Sequence, residues 1–218
     1  MLLEGDDQGT HGLVRDKQRE ETRKKLYHAA IEIFCRDGVA NCRIEDIALK
    51  AEVSRAAFYF HFPSKDDVLL ELLREAEHPS LEALNALPPD APLGDVFDVL
   101  IKHTAEFWAQ QDRGRLLVDV FSVSMRRTTI LADREAEVIR AAVGRRFEQA
   151  AGRNELSPVI PAEVLADFYL LNVFAAMASW CVQPIMPLAD MLSGVTQLFM
   201  NGAKPLAQGG APVSLQRG

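Results

Sequence analysis

Between Ile44 and Pro63 the chain reads IEDIALKAEVSRAAFYFHFP, and Ser64-Lys65 follow at once. This spacing leaves room for little except two short helices joined by a tight turn. Ile44, Ile47 and Ala48 share one helical face, and the pattern predicts a helix from about Ile44 to Lys50. Ala51-Glu52-Val53 is the turn. Ser54 then stands where a hydroxyl can accept from a free backbone N–H at the start of the second helix. That helix runs through Tyr59 and stops before Pro63. Phe58 and Phe62, four residues apart, mark its core side.

The flanking sequence supports a wholly helical chain. Leu26, Ala29, Ala30, Ile33 and Phe34 form an apolar face in a helix that begins at about Arg15 and stops at Gly38. Cys35 reads as buried filler on that helix. Ser64, with Asp67 three residues on, reads as the cap of a further helix whose face is Val68, Leu69, Leu72 and Leu73. Beyond Arg74 the helical segments are Leu93 to about Gln111, Arg113 to about Met125, Asp133 to Ala151, Pro161 to Val182 and Pro187 to Met200. Prolines punctuate the set, and no alternating strand pattern of useful length occurs. The fold class expected is all-α with about nine helices. The expected organisation is a disordered arm (1–14), a helix-turn-helix domain (15–63), a larger helical domain (64–204) and a flexible tail (205–218).

Charge qualifies this reading. The chain carries a net −7, an unpromising balance for a partner of polyanions. Its distribution differs: residues 15–65 hold eleven Lys/Arg against eight Asp/Glu, a local +3 that leaves −10 on the remainder. A basic module on an acidic body suits nucleic-acid binding by one end. The three cysteines, Cys35, Cys42 and Cys181, lack the spacing of a disulfide framework or zinc site, and point to a reducing cytoplasm. No run approaches the ~18 apolar residues of a membrane span, so no membrane partner is expected. There is no phosphate loop, metal-ligand spacing or nucleophile motif, and the scattered histidines His28, His78 and His103 suggest no catalysis. No enzyme activity, cofactor or metal is expected.

A short helix after a tight turn presents its first turn to base edges in the DNA major groove, and its flanks to phosphates. Arg55, Ala56 and Ala57 occupy that turn. Arg55 has the paired donors that read guanine, and the alanines allow close approach. Tyr59, Phe60 and His61 follow, with a phenol and an imidazole suited to phosphate. Lys65 adds charge beside a helix start.

The segment Arg23 to Leu69 resembles the N-terminal domain of TetR-family (tetracycline-repressor-like) transcriptional regulators. The matching run includes Ala30, Phe34, Gly38, Asp46-Ile47-Ala48, Ala51, Val53-Ser54, Phe58-Tyr59, His61-Phe62, Ser64-Lys65 and Leu69, without a gap. It covers about a fifth of the chain. There are departures. Glu52 stands where the family usually has glycine, Cys42-Arg43 replaces a pair of hydroxyl residues before the helix that starts at Ile44, and Phe60 sits where polar residues are common. Arg43 is expected to restore a phosphate contact by charge.

The resemblance implies a homodimer that binds a roughly palindromic double-stranded operator and responds to a small-molecule effector, most commonly as a repressor. The helix from Ser64 would couple the two domains. A DNA-binding regulator controlled by a protein partner, without an effector, is the alternative. Residues 165–182 are apolar around much of their circumference, and would pair with 188–201 across a dimer. The expected interface residues are Phe168, Ala175, Ala178, Ser179, Met191, Val195 and Phe199. The expected pocket is walled by Phe97, Phe107, Trp108, Phe121 and Phe174, with His103 and Asn172 as polar anchors.

Overall fold

The computed structural model describes residues 7–110, 113–128, 137–156 and 159–203. Among these are nine α-helices, a 3-10 turn and no strand: α1 (Asp7–Asp37), α2 (Ile44–Lys50), α3 (Arg55–His61), α4 (Lys65–Ala86), α5 (Leu93–Trp108), the 3-10 turn Arg113–Leu116, α6 (Leu117–Thr128), α7 (Glu137–Gly152), α8 (Ala162–Val182) and α9 (Leu188–Ala203). The all-α expectation holds. The chain divides into two compact units, one formed by residues 1–73 with 111–125 and the other by 74–110 with 126–218. The first unit therefore reaches beyond the expected boundary at residue 63 and takes in a later segment of the chain. α1 also starts earlier than expected, at Asp7 within the expected arm. The expected tail lies outside the described residues.

In the first unit, α1 packs on α2 and α2 on α3. Leu26, Ala30, Ile33 and Phe34 of α1, Ile47 and Ala48 of α2, and Phe58 of α3 are buried, as are Phe62 and Val68, Leu69 and Leu72 of α4. Full burial of such side chains contributes roughly 1.5–3 kcal/mol each. Cys35, read as buried, is only half-buried.

The helix ends are set locally. Gly38, at φ +81°, takes the left-handed conformation that ends α1. α2 ends on two bonds that close its last carbonyls: Val53 N–H donates to Ala48 O (2.9 Å) and Glu52 N–H to Leu49 O (3.1 Å). That pairing requires a left-handed residue at Glu52, whose φ is +57°. α7 stops the same way, with Glu155 N–H on Ala150 O, Asn154 N–H on Ala151 O and Asn154 at φ +60°.

In the second unit, α8 packs on both α7 and α9, and α5 on α7 and α9. Phe97, Phe147, Tyr169 and Phe199 meet in an aromatic cluster with ring centroids 4.9–6.4 Å apart. The Tyr169 hydroxyl within it pairs with Thr196 Oγ1 at 3.2 Å, so its one polar atom is not orphaned. Arg146 of α7 donates to Leu84 O, Leu87 O (2.6 Å) and Pro88 O (2.8 Å). A cation there satisfies the open carbonyls of the α4 C-terminus and opposes its dipole. Glu155 accepts from Leu93 N–H at 2.7 Å at the α5 N-terminus, and Arg153 braces that carboxylate at 2.6 Å. Desolvation is the largest single influence on the Glu155 carboxyl and works to raise it, but the Leu93 N–H, the Arg153 bond and the Arg153 charge together hold it below its ordinary pKa.

α8 is long and apolar enough, by length and composition, to cross a membrane, with a mean hydropathy of 1.5 over its richest window. This departs from the expectation that no segment comes near a span. Its Asp167 is engaged by Arg140 of α7 through both guanidinium arms, a fixed polar fork on an otherwise apolar helix.

Candidate nucleic-acid interface

The seven residues of α3 divide by face. Phe58 points into the core, and Phe62, just past the helix, does the same. Arg55, Ala56, Tyr59 and Phe60 are exposed, and Phe60 keeps 66% of its surface open. Ser54 caps the helix: its Oγ accepts from Ala57 N–H at 3.1 Å. Loss of such a cap costs about 1 kcal/mol. The cap fixes which turn comes first, and so places Arg55 and Ala56 at the leading edge.

The far end of α3 is clamped by Arg23 of α1. Its guanidinium donates to the His61 carbonyl (2.6 Å) and to Glu71 Oε2 of α4 (2.8 Å), and lies 4.3 Å from the Phe62 ring centre. Charge-assisted bonds and a cation–π contact on one side chain tie three helices together. Partial burial holds the His61 imidazole below its ordinary pKa, aided by the positive charges of Arg23 and Arg19. The ring is therefore neutral at pH 7 and offers hydrogen bonding rather than charge.

Arg55 is not idle at the surface. It pairs with Glu45 of α2 at 3.0 Å and lies 5.6 Å from the Tyr59 ring centre. Arg43 is exposed and occupies the N-cap position of α2, where its side chain makes no capping bond; the absent hydroxyl is thus felt in the helix start. The Lys65 ammonium, expected on phosphate, instead donates to Val39 O (2.6 Å) and Cys42 O (3.0 Å). Two of its three donors therefore stitch the loop between α1 and α2. Sequence reasoning missed two residues. Arg19 places its guanidinium 5.0 Å from the Phe60 ring centre, so a cation stands beside the exposed face of α3. The signal was present in the basic run from Arg15 to Lys25. Glu45, the partner of Arg55, carried no such signal.

The expected pocket residues are not gathered into one site. Phe97 is buried in the aromatic cluster, and Phe107 and Trp108 are buried side by side at 5.2 Å. His103 is half-buried and 3.6 Å from Glu106. Asn172 is exposed and bonds back to Phe168 O at 2.6 Å, so it does not point inward. Phe174 is half-buried, and Phe121 belongs to the first unit. A groove of about 500 Å³ opens between α5 and α9, and Phe97 is the one expected pocket residue that lines it. Of the expected dimer residues, Phe168, Ala175 and Ser179 are exposed, while Ala178, Met191 and Val195 are half-buried. Phe199 departs from expectation: it turns into the aromatic cluster, and its neighbour Leu198 (75% open) takes the outer face.

The geometry of the first unit coincides with a family signature. Residues 26–72 match the model of bacterial regulatory proteins of the tetR family. This N-terminal segment carries the TetR-family signature. Curated relatives of this chain include the transcriptional regulator SrpR of Pseudomonas putida, 42% identical over 62 residues, which are 28% of this chain and 29% of SrpR. The transcriptional regulator AcrR of Shigella flexneri is 33% identical over 107 residues, 48% of this chain and 49% of AcrR. The matched region thus spans half or less of the length of these relatives. The fold likeness runs further. SmeT, the repressor of a multidrug efflux pump of Stenotrophomonas maltophilia, was solved with triclosan. It superposes with a TM-score of 0.63 over 90% of this chain and 98% of its own, at 20% identity.

Proposed function

We propose that this chain is a sequence-specific transcriptional repressor that binds a two-fold symmetric DNA operator as a homodimer, and that a small molecule bound in the second unit controls it. The observation that carries the reading is the split face of α3: two phenylalanines anchor it inward, while Arg55, Ala56, Tyr59 and Phe60 project outward beside Arg19. Ser54 and Arg43 stand at the flanks for phosphate, and His61 supplies a neutral ring at the far end. Lys65 acts chiefly through the loop it braces.

The second unit supports dimerisation. α8 and α9 leave Phe168, Leu171, Val182 and Leu198 open on the surface, apolar side chains that a partner surface would cover. Covering them with the same face of a second copy gives the isologous contact of a two-fold dimer. This accounts for the apolarity of α8 without a bilayer, and fits a cytoplasmic regulator. Two α3 helices then face half-sites about one helical turn apart. Control by an effector follows the pattern of SmeT, a repressor that holds triclosan. A ligand shifts such a regulator only by its differential affinity for the two states.

The test is selection of bound duplexes from a random pool at moderate salt with the full chain. An enriched inverted repeat is the expected result. Retention of DNA without enrichment, in a strongly salt-dependent manner, would overturn the reading.

A further inference from the structure

A carboxylate stands beside the arginine at the leading edge of α3. Glu45 Oε1 meets Arg55 Nη1 at 3.0 Å, from α2 to α3 across the turn between them. Tyr59 takes the other arm: Arg55 Nη2 donates to its hydroxyl at 3.4 Å, and the guanidinium carbon lies 5.6 Å from its ring centre. The planar group is thus held from two helices at once. Both charged side chains nevertheless stay open, Arg55 at 61% and Glu45 at 55%.

Two simpler accounts do not explain this arrangement. An exposed ion pair adds little to stability. A carboxylate in the first turn of α2 suits the helix dipole, but Asp46 already supplies one there. On a surface offered to a polyanion, a carboxylate also repels phosphate, so its presence calls for a compensating role.

The donors of Arg55 point to that role. A guanidinium carries five N–H donors in a fixed fork. Glu45 lies against one arm and Tyr59 takes a donor of the other, and donors remain on both arms for a partner. A lone arginine here could swing to any phosphate, where charge alone decides. Beside Glu45 that charge is locally cancelled, so the pull toward phosphate is weak. Directional hydrogen bonding remains, and this is what distinguishes base edges. Holding the fork in place before contact also reduces the freedom lost on binding.

We propose that Glu45 is a specificity-determining positioning residue: it fixes the Arg55 fork for a guanine edge and withholds it from phosphate. General DNA affinity is lowered, and discrimination at one base pair of each half-site is raised. The proposal rests on the DNA-binding reading above and assigns a residue that sets its selectivity. Arg55 touches the base, and Glu45 acts through Arg55.

The test is selection from a random duplex pool with the full-length chain, the Glu45→Gln, Glu45→Asp and Arg55→Ala variants, and the double variant E45Q/R55A. The duplex enriched by the wild type and a scrambled duplex are then titrated over a range of salt. Glu45→Gln should bind scrambled DNA roughly three- to tenfold tighter and steepen the slope of log affinity against log salt by about one, as Arg55 moves to a phosphate. It should also lose about tenfold of the preference for guanine at one base pair. Glu45→Asp keeps the charge without the reach, so it should hold scrambled DNA as weakly as the wild type and still lose that preference. In the Arg55→Ala background the Gln substitution should leave base preference unchanged. Melting curves establish that each variant is folded. Undiminished guanine preference in Glu45→Gln, or a shift in preference that persists without Arg55, overturns the proposal. The wild-type selection separates the two readings. Without an enriched inverted repeat the sequence-specific function falls, and this role with it; a repeat that Glu45→Gln selects unchanged removes only the role of Glu45.

Discussion

α3 and α8 both leave on the surface side chains that a folded chain ordinarily covers, and they do so with opposite chemistry. The open face of α3 mixes a guanidinium, one small alanine, a phenol and an aromatic ring, with Arg19 alongside. The open face of α8 carries Val164, Phe168, Leu171 and Val182, with Asn172 and Ser179 as its polar breaks. The anchoring differs too. α3 is only seven residues long and is held by Ser54 at one end and Arg23 at the other. α8 is 21 residues long and lies against α7 and α9. On the proposed function, equal exposure serves different partners: a polyanion for α3, and a second copy of the same apolar surface for α8.

Breaking the comparison at α8 should have the largest effect. Phe168→Glu puts a charge on the centre of the aliphatic face, where desolvation without a partner is costly. Sedimentation should show monomers at concentrations where the wild type is dimeric, and operator affinity should drop by roughly a hundredfold or more as paired half-sites are lost. If the variant stays dimeric, α8 is not the interface. Next in size is Arg55→Ala on α3. It should weaken operator binding by roughly 1–3 kcal/mol and relax selection at a single base pair in each half-site, as read by competition with variant duplexes. Uniform weakening across all sequences would move Arg55 from base reading to phosphate contact.

Smaller again is Arg19→Ala. It should reduce affinity similarly for all sequences and lower the slope of log affinity against log salt by about one. A slope that does not change removes Arg19 from the DNA surface. The smallest effect sharpens the frame around α3. Glu52→Gly relieves a left-handed backbone that side chains disfavour, and should raise stability to urea by about 1 kcal/mol without altering base preference.

Much of α3 was legible because local rules decide it. Phe58 and Phe62 at a spacing of four, Ser54 before the first turn and Pro63 after the last leave one orientation open, and that orientation exposes Tyr59 and Phe60. The loop contacts of Lys65 were not legible for a physical reason: a lysine's position records its charge but not the carbonyls it will meet, and Val39 and Cys42 are distant in sequence. α8 was legible as a helix but not by face. It is apolar all round, so a 3.6-residue period cannot say which side turns inward, and Asn172 was placed inside when it lies outside. Phe199 and Leu198 show the same limit: adjacent, equally apolar, and separated only by which one meets Phe97, Phe147 and Tyr169.

The shortness of α3 has one further consequence. Isolated helices below about 12–15 residues are marginal in water, and this one has seven. Cut out as a synthetic peptide, Arg55–His61 would be a coil, and a coil must give up the freedom of every residue before it can touch a base. The sequence preference proposed for α3 would thus be stored in Phe58, Phe62 and the grip of Arg23 as much as in the side chains that face outward. Anyone grafting this specificity onto another scaffold must carry the whole first unit, and a core substitution that never approaches DNA can silence it as thoroughly as one that does.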